Sequence, residues 1–183
     1  MRYISLLRGI NVGGHKKIKM LDLKALYLSL NFTEVITYIQ SGNVIFTTPL
    51  LDEEKISTLI ADAIQKRYGF DVPIIIRTAE VWEKVISRYP FSVDPIENAT
   101  TVCLILLSKE PNIEDVTTLQ SFVMPPDQLH VEKNNIYLST PNGYGKTKLS
   151  NNFIEKKLEV KATTRNWKSI LKIRDLSRDK VEI

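Results

Sequence analysis

A basic, glycine-rich segment near the N-terminus carries the residue types that most directly suggest chemistry. It runs from Arg8 to Lys19 and reads R-G-I-N-V-G-G-H-K-K-I-K, between an expected strand and an expected helix. Glycines let backbone N–H groups approach a ligand, the beginning of a helix adds partial positive charge, and cationic side chains complete an anion site. The segment therefore predicts anion binding, although the G-x-G-x-x-G spacing of a dinucleotide site is absent. The alternative is that its glycines only permit positive φ angles in a long connection.

A second polar segment, residues 40–43 (Q-S-G-N), separates two β-rich runs. On its own it reads as an ordinary hairpin turn. In a split β-α-β unit, however, the first and second strands run parallel, with the third strand antiparallel between them. The loop after the first strand and this turn then emerge at the same edge of the sheet. Four polar side chains could there converge on one ligand: Arg8, Asn11, Gln40 and Asn43.

A third segment, residues 140–147 (T-P-N-G-Y-G-K-T), lies between an expected hairpin strand and an expected helix. It misses the P-loop pattern G-x-x-x-x-G-K-[ST] by one position, because Thr140 stands where the first glycine belongs. Pro141 alters the path of the loop, and no strand ends in an obvious Mg²⁺-binding aspartate. These departures disfavour an ATPase loop and leave a different basic, glycine-rich phosphate contact as the functional interpretation.

A fourth segment, residues 163–168 (T-T-R-N-W-K), precedes the last expected helix. Either threonine can cap that helix, which would place Arg165 and Lys168 in its first turns. Cations there oppose the helix dipole, so an anionic ligand would explain them better than stability does. The alternative is that Trp167 packs into the core while the two cations are merely solvated.

The four segments together give a predicted ligand-binding set, whereas the usual signals of catalysis are missing. The set is Arg8, Gly9, Asn11, Gly13, Gly14, Lys16, Lys19, Gln40, Ser41, Asn43, Gly143, Gly145, Lys146, Lys148, Arg165, Asn166, Trp167 and Lys168. His15 and His130 are the only histidines, and Cys103 is a lone cysteine inside an apolar run, so a zinc site is not indicated. Neither G-x-S-x-G nor H-E-x-x-H occurs. The sequence thus indicates no metal, no cofactor and no catalytic residue.

The elements that must position these segments repeat one order. Residues 1–78 read β-α-β-β-α-β, the order of the ferredoxin-like split β-α-β unit. A helix and a looser, proline-containing segment occupy residues 79–98, where we place the boundary between halves. Residues 99–183 repeat the pattern, with a last strand over Val160–Thr163 and a terminal helix over Arg165–Leu176. The sequence therefore predicts an α+β chain of two tandem ferredoxin-like halves with antiparallel sheets and a C-terminal helix.

The composition and the distribution of charge limit the classes of function. Of the 183 residues, 43% are hydrophobic and 25% charged, which excludes disorder, collagen-like repeats and a coiled coil. The longest apolar run, near Val102–Leu107, is too short to span a bilayer, and we expect a cytoplasmic protein. The net charge of +4 is uneven, since both chain ends are basic and the middle is acidic. The basic ends hold most of the residues of the four segments, which favours an anionic ligand.

The same segments carry a resemblance. Ile4–Met20, Thr37–Phe46, Gly143–Leu149 and Thr164–Leu171 closely resemble an uncharacterised bacterial family, domain of unknown function 1697. The likeness runs essentially end to end, and the pair L-R-G-I-N-V-G-G and Y-I-Q-S-G-N is highly specific. Thr147 departs from the family pattern, where serine is expected. The resemblance implies a cytoplasmic, single-chain α+β protein and supplies no activity, but it supports treating the four segments as family signatures.

Three functional hypotheses remain open at this point. The first is a module that binds a phosphorylated ligand, either a nucleotide or nucleic acid, through the basic glycine-rich loops. The pattern of an RNA-recognition motif is absent, so nucleic acid binding would need another mode. The second is an enzyme acting on a small phosphorylated substrate, with His15 as the only candidate base in the four segments. The third is a structural or assembly protein whose loops hold the halves together. No membrane partner is expected, and the oligomeric state is open.

Overall fold

The computed structural model describes residues 1–178 and contains two four-stranded antiparallel sheets with six α-helices in that range. The strands are β1 (Arg2–Leu7), β2 (Thr33–Tyr38), β3 (Asn43–Thr47), β4 (Ile74–Thr78), β5 (Val102–Leu107), β6 (Gln128–Glu132), β7 (Asn135–Ser139) and β8 (Ala162–Asn166). The helices are α1 (Met20–Ser29), α2 (Glu53–Tyr68), α3 (Ala79–Ser87), α4 (Ile113–Gln120), α5 (Asn151–Leu158) and α6 (Trp167–Arg178). The predicted α+β class with antiparallel sheets and a C-terminal helix is confirmed.

The chain divides into two compact units. Unit 1 comprises Met1–Lys84 and residues 172–178 of the described chain, and unit 2 comprises Val85–Leu171. The divisions fall within α3 and within α6. No helix within residues 1–178 is both long and apolar enough to cross a membrane.

Unit 1 is built on a sheet with the strand order β2-β3-β1-β4. Its core contains an aromatic cluster in which Phe32 stacks on Phe46 with ring centroids 4.7 Å apart, and Tyr27 meets both rings edge-on. The buried hydroxyl groups of Tyr27 and Ser5 are hydrogen-bonded at 2.7 Å, which satisfies both polar atoms inside this core. The sheet order also makes β1 and β2 run in the same direction, because β3 is antiparallel to each.

Helix α2 illustrates how the sequence fixes its elements. Asp52 caps its N-terminus by accepting hydrogen bonds from the backbone N–H groups of Glu54 and Lys55. Gly69 ends it in the left-handed conformation, with φ at 77°. Ile56, Ile60 and Ile64 recur at four-residue spacing and are fully buried. The residue types at both ends of α2 and along its buried face therefore account for this helix.

Unit 2 repeats the order with β6-β7-β5-β8. Strand β5 is the predicted apolar strand, and it is buried along its whole length between β7 and β8. Cys103 is buried in this strand, where it packs as a small hydrophobe, and burial raises the pKa of its thiol to about 11.

The end of unit 2 differs from the prediction. The last strand extends to Asn166, so Arg165 is a strand residue paired with Leu104 of β5. Helix α6 begins at Trp167, and the Asn166 side-chain oxygen caps it by accepting a hydrogen bond of 2.9 Å from the backbone N–H of Ser169. The prediction that a threonine caps this helix and places Arg165 in its first turn was wrong. The β-branched pair Thr163–Thr164 favours a strand, and asparagine is among the best capping residues.

Candidate functional site

The first signature segment folds into a small hairpin between β1 and α1. An isolated bridge joins Val12 to His15, and the two residues between them, Gly13 and Gly14, have φ angles of 58° and 80°. A two-residue turn with both central residues at positive φ is the geometry that favours glycine. The glycines thus form the tip of a hairpin, on which Val12 and His15 are exposed, and their first role is the conformational one.

Asn11 holds the base of this hairpin closed. Its side-chain oxygen accepts a hydrogen bond of 2.9 Å from the Ile18 backbone N–H, and its amide nitrogen donates to the Ile18 carbonyl at 3.0 Å. The same nitrogen donates to the backbone carbonyl of Gln40 at 2.9 Å. The Asn11 side chain therefore joins the first signature segment to the second.

The Q-S-G-N turn packs against the same loop. The Leu7 N–H donates to the Gly42 carbonyl at 2.8 Å. Gly42 has a φ of 77°, and a Cβ placed there would lie 2.7 Å from side-chain atoms of both Leu7 and Ile10. Asn43 is fully buried and donates to the Tyr38 carbonyl and to the Ser41 hydroxyl. The sheet topology therefore brings the first two segments together as expected, with Gly42 and Asn43 in structural positions.

A cavity of about 730 Å³ opens beside this junction. It lies among the first loop, the beginning of α1, the turn and the end of α2, and all of its lining residues belong to unit 1. The lining residues are Asn11, Gly14, Lys17, Ile18, Lys19, Met20, Leu21, Asp22, Gln40 and Tyr68. A volume of this size is within the range of pockets that bind small molecules, roughly 300–1,000 Å³.

The beginning of α1 supplies hydrogen-bond donors to this wall. Lys19 occupies the N-cap position and its side chain makes no capping hydrogen bond. The first intrahelical bond runs from the Leu23 N–H to the Lys19 carbonyl, so the preceding N–H groups of the helix have no intrahelical acceptor. Within residues 1–178, neither the Lys17 nor the Lys19 side chain has a hydrogen bond or an ion pair, and both residues are exposed. This part of the wall therefore carries two cations, Lys17 and Lys19, together with the Asp22 carboxylate in the first turn of α1.

Tyr68, at the end of α2, lines the cavity and has an unpaired hydroxyl group. Its hydroxyl oxygen is shielded from solvent and has no hydrogen-bond partner within residues 1–178. Desolvation raises the pKa of Tyr68, with Arg67 opposing the shift and the Asp22 carboxylate adding to it. Leaving a buried hydroxyl unpaired costs about 1–3 kcal/mol.

The other predicted residues of the first segment face different neighbours. Lys16 donates a hydrogen bond to the Asp71 carbonyl, and its ammonium lies 6.0 Å from the centre of the Phe70 ring. The Arg8 N–H donates to the Pro73 carbonyl at 2.9 Å. These contacts tie the loop to the connection between α2 and β4. Gly9 adopts a φ of 75° in open space.

The third and fourth signature segments meet inside unit 2. The hydroxyl groups of Tyr144 and Thr164 are 3.3 Å apart, and Thr164 donates to the Asn151 side-chain oxygen at 2.7 Å. Gly143 has a φ of 97°, and a 3₁₀ turn over Tyr144–Lys146 follows it in place of a phosphate-binding loop running directly into α5. The signature pairs therefore converge within their own units.

The cations of these two segments differ in burial: the arginine is buried and the lysines are exposed. Arg165 is buried and donates to the Thr163 hydroxyl at 2.8 Å and to the Thr164 carbonyl at 2.9 Å. Trp167 is also buried, as the structural alternative expected. Three lysines of the predicted set are exposed to solvent: Lys146, Lys148 and Lys168. Gly145 is exposed as well, and a Cβ there would meet nothing within 4 Å.

Several lining residues of the cavity were outside the predicted set. They are Lys17, Ile18, Met20, Leu21, Asp22 and Tyr68. Lys17 lies in the first signature segment and could have been included on charge alone. Tyr68 is remote in sequence, and only the approach of the end of α2 to the beginning of α1 reveals it. No group of three or more His, Cys, Asp or Glu side chains that could hold a metal occurs within residues 1–178.

Comparison with known proteins identifies the family. The profile described as protein of unknown function DUF1697 matches residues 1–137. The chain belongs to this family. The DUF1697 chain also shares its fold with the conserved bacterial protein SP0830 from Streptococcus pneumoniae, with a TM-score of 0.77 over 97% of this chain and 98% of that chain, at 24% sequence identity. A search of curated proteins finds no match.

Proposed function

We propose that this protein binds a small anionic ligand, of the phosphorylated class, in the cavity of unit 1. The observation that carries the proposal is a ligand-sized cavity whose wall combines two unengaged lysines with the uncapped beginning of α1. Gly14 and Gln40 add backbone and amide groups that can orient the bound group. Asn11 acts by positioning, because its side chain holds the loop against the turn.

A small ligand suits this cavity better than nucleic acid does. Of the five cations within residues 1–20, Arg2 pairs with Glu34 at 3.0 Å and Lys16 is held by a backbone carbonyl. Of the cations in the described part of the chain, only Lys17 and Lys19 line the cavity. Long nucleic acids are bound by proteins that neutralise many phosphates, about six to ten in well-studied cases. The number of cations here fits one or two phosphate groups.

A thermal-shift screen of the full chain against phosphorylated and carboxylated metabolites tests this function. A ligand at 100 times its dissociation constant adds about 2.7 kcal/mol to the free energy of unfolding, which is a readily measured rise in Tm. Binding should weaken at least about tenfold in the double variant Lys17→Met/Lys19→Met, because each ligand phosphate loses a charged partner.

The matched control is Lys24→Met. Lys24 is exposed on the same helix and does not line the cavity. It should bind the ligand as the parent does. A screen in which no anionic compound raises Tm, or in which Lys24→Met weakens binding as much as the double variant, would remove the proposal.

The enzymatic alternative gains little from the lining of the cavity. Among residues 1–178, Asp22 is the one carboxylate that lines the cavity, and no histidine lines it. His15 is exposed at the hairpin tip instead. The residues that line the cavity are therefore better suited to binding than to general acid–base catalysis.

We also propose that each unit is a ferredoxin-like module, so that the chain is a tandem of two. The support is the element order β-α-β-β-α-β in both units, together with sheets in which the third strand lies between the first and the second.

A further inference from the structure

Within residues 1–178, the two sheets have four edge strands: β2 and β4 in unit 1, and β6 and β8 in unit 2. The outer side of an edge strand presents backbone N–H and C=O groups that have no partner in the ladder, and such groups readily pair with another strand. Natural proteins therefore obstruct their edges with side chains, bulges or prolines. The four edges of this chain differ in how they are obstructed.

The edge of β4 is obstructed by two side chains. The register with β1 directs the backbone groups of the even-numbered residues of β4 outward. Arg77 donates a hydrogen bond of 2.8 Å from its guanidinium to the outward carbonyl of Ile76. The Glu53 carboxylate accepts a hydrogen bond from the outward N–H of Thr78. An incoming strand would therefore find these groups already engaged.

The edge of β8 is obstructed by the same two residue types. The register with β5 again directs the backbone groups of the even-numbered residues outward. The Arg165 guanidinium donates to the outward carbonyl of Thr164 at 2.9 Å. The Glu155 carboxylate accepts a hydrogen bond of 2.9 Å from the outward N–H of Ala162. An arginine and a glutamate thus occupy the outer side of the last strand in each unit.

The edge of β2 is obstructed by its shape. Its pairing with β3 shifts register between Thr33 and Ile36, and Glu34 inside the shift has a φ of 49°. A bulge of this kind bends a strand and interrupts the row of outward backbone groups. Strands β2, β4 and β8 therefore each carry a feature that opposes pairing with a further strand.

Strand β6 carries none of these features. Its register with β7 is continuous over Gln128–Glu132, and it contains no proline. Glu132 and Asn135 close a two-residue turn, so the even-numbered residues of β6 bond to β7, and the backbone groups of Leu129 and Val131 face outward. Within residues 1–178, no other group is hydrogen-bonded to these outward N–H and C=O groups. This edge is therefore open to a further strand.

The side chains along β6 complement one another when two copies of the strand lie antiparallel. In the register that places Leu129 opposite Val131 of the second copy, each such pair exchanges two backbone hydrogen bonds and joins two apolar side chains. Gln128 then lies opposite Glu132 of the second copy. The Glu132 carboxylate, which pairs with Arg88 at 2.6 Å, can also accept a hydrogen bond from the Gln128 amide.

The charges that flank β6 select this register. Asp127 lies opposite Lys133 of the second copy, and two-fold symmetry repeats the pair at the other end, while His130 faces its own copy at the axis. Within residues 1–178, neither the Asp127 nor the Lys133 side chain has a hydrogen bond or an ion pair. A shift by two residues in either direction would place Asp127 opposite Val131, or Lys133 opposite Leu129. Both charged pairs would then be lost.

We propose that two copies of this chain associate through β6, in antiparallel orientation, and join their two unit 2 sheets into one continuous sheet. The same surface meets itself in this contact, so the association closes as a dimer and does not extend into a fibre. A second copy is favoured over an unrelated extended peptide because it supplies an opposite charge at both ends of the strand. The proposal is independent of the cavity, whose lining residues all belong to unit 1.

Sedimentation velocity and amide hydrogen exchange on the full chain test the proposal together. A concentration series up to about 1 mM covers dissociation constants in the millimolar range and below. The chain should change from monomer to dimer across this series. In the dimer, the amide hydrogens of Leu129 and Val131 should exchange more slowly than in the monomer, whereas the His130 amide is bonded to β7 in both.

The variant Val131→Pro should abolish the dimer. It removes an outward N–H group that has no partner within residues 1–178, so the ladder between β6 and β7 should persist. Circular dichroism and Tm establish that the variant folds.

Charge reversal tests the register without a change of backbone. Lys133→Glu places two acidic side chains opposite each other at both ends, and it should raise the dissociation constant of the dimer at least about fivefold. Adding Asp127→Lys restores opposite charges and should return the constant to within about threefold of that of the parent. Lys24→Glu changes the net charge equally at an exposed position of unit 1 and should leave the constant unchanged.

A chain that stays monomeric across the whole series would overturn the proposal. A dimer that both Val131→Pro and Lys133→Glu leave intact would also overturn it, because the copies would then meet elsewhere. Slow exchange of the Leu129 and Val131 amides in the monomer would show that the edge is covered within the chain, with the same consequence. A folded Asp127→Lys/Lys133→Glu protein that associates no better than Lys133→Glu would overturn the antiparallel pairing.

Discussion

The two units share their strand order, but they begin their first helices in different ways. In unit 2 the connection from β5 to α4 spans residues 108–112, and Asn112 caps α4 by accepting a hydrogen bond from the Glu114 N–H at 3.2 Å. In unit 1 the connection from β1 to α1 spans residues 8–19 and ends on Lys19, which provides no cap.

This difference separates what the fold requires from what a site requires. A short, capped connection is sufficient to place a helix on the sheet, as unit 2 shows. Unit 1 uses a longer loop with a hairpin, has no side-chain cap and carries two exposed lysines, Lys17 and Lys19, just before α1. Helix α1 lacks the stability that a side-chain cap would add, and it begins at the proposed ligand site. Loss of stability at a site of this kind is the pattern expected where residues are kept for function.

The largest expected effect disrupts the packing of Gly42 against Leu7 and Ile10 in unit 1. Gly42→Ala should destabilise the protein by about 2–5 kcal/mol for two reasons. The added Cβ would overpack against Leu7 and Ile10, and the alanine backbone would be strained at a positive φ. Gly9→Ala has a similar φ of 75° in open space and should cost only about 1–2 kcal/mol. Urea denaturation measures both.

The control for this series lies in unit 2. Gly145→Ala has no positive φ and no neighbour within 4 Å, so its effect should remain within about 0.5 kcal/mol. Equal destabilisation by Gly42→Ala and Gly9→Ala would show that packing against the loop contributes nothing.

Asn11 and Ser108 each hold in place the connection between the first strand and the first helix of their unit. Asn11→Ala removes three hydrogen bonds and should cost about 2–3 kcal/mol. Ser108→Ala removes one, from the Lys161 N–H, and should cost about 1 kcal/mol. Asn11→Ala should also weaken ligand binding in calorimetry, because Gln40 loses its anchor, and Ser108→Ala should not. Unchanged ligand affinity in a folded Asn11→Ala variant would contradict the positioning role.

Exchanging the capping residues tests the comparison directly. Lys19→Ser supplies the missing cap and should stabilise the protein by about 1 kcal/mol, while weakening anion binding. Asn112→Ala removes the cap of α4 and should destabilise by about 1 kcal/mol without affecting ligand affinity. Thermal denaturation with and without ligand reports both quantities. A Lys19→Ser protein that is more stable and binds equally well would separate the open helix start from ligand binding.

The smallest effect concerns alkaline pH and the core of unit 2. The thiol of Cys103 loses its proton near pH 9 when exposed but only near pH 11 when folded, because burial raises its pKa. The unfolded chain therefore binds fewer protons in this interval, so the free energy of unfolding falls as pH rises from about 9 towards 11. The loss attributable to this group is about 1 kcal/mol at pH 10.

Cys103→Ala should remove this contribution and flatten the stability profile between pH 8 and pH 10 in urea titrations. The buried tyrosines Tyr27 of unit 1 and Tyr137 of unit 2 also have raised pKa values, so both proteins should lose stability above pH 10. Identical profiles for the parent and Cys103→Ala would show that the thiol is accessible to solvent in the folded state.

Local sequence signals were sufficient for much of this fold. Asp52 and Gly69 mark the ends of α2, and the unbroken apolar run of β5 marks a central strand. The meeting of the first loop with the Q-S-G-N turn also followed from the element order alone, because strand direction fixes which loops share an edge.

Tertiary pairing decided what the sequence left ambiguous. Arg165 follows two threonines, and its place in β8 depends on pairing with β5. The cavity of unit 1 depends on the end of α2, since Tyr68 joins Lys17 and Asp22 only after both helices pack on the sheet. Gly13 and Gly14 satisfy the pattern of an anion-binding loop and that of a tight hairpin turn equally well, and the structure places them in the turn.

The hairpin between Val12 and His15 offers a place where this protein can change without refolding. Its base is anchored by Ile10, which is 1% exposed, and by the Asn11 bonds. At its tip, a Cβ added at Gly13 or Gly14 would meet no atom closer than 3.8 Å. Added residues at the tip would lengthen a solvent-facing loop, and the entropic penalty of closing such a loop grows only with the logarithm of its length. Insertions between Gly13 and Gly14 are therefore expected to leave the sheet of unit 1 intact.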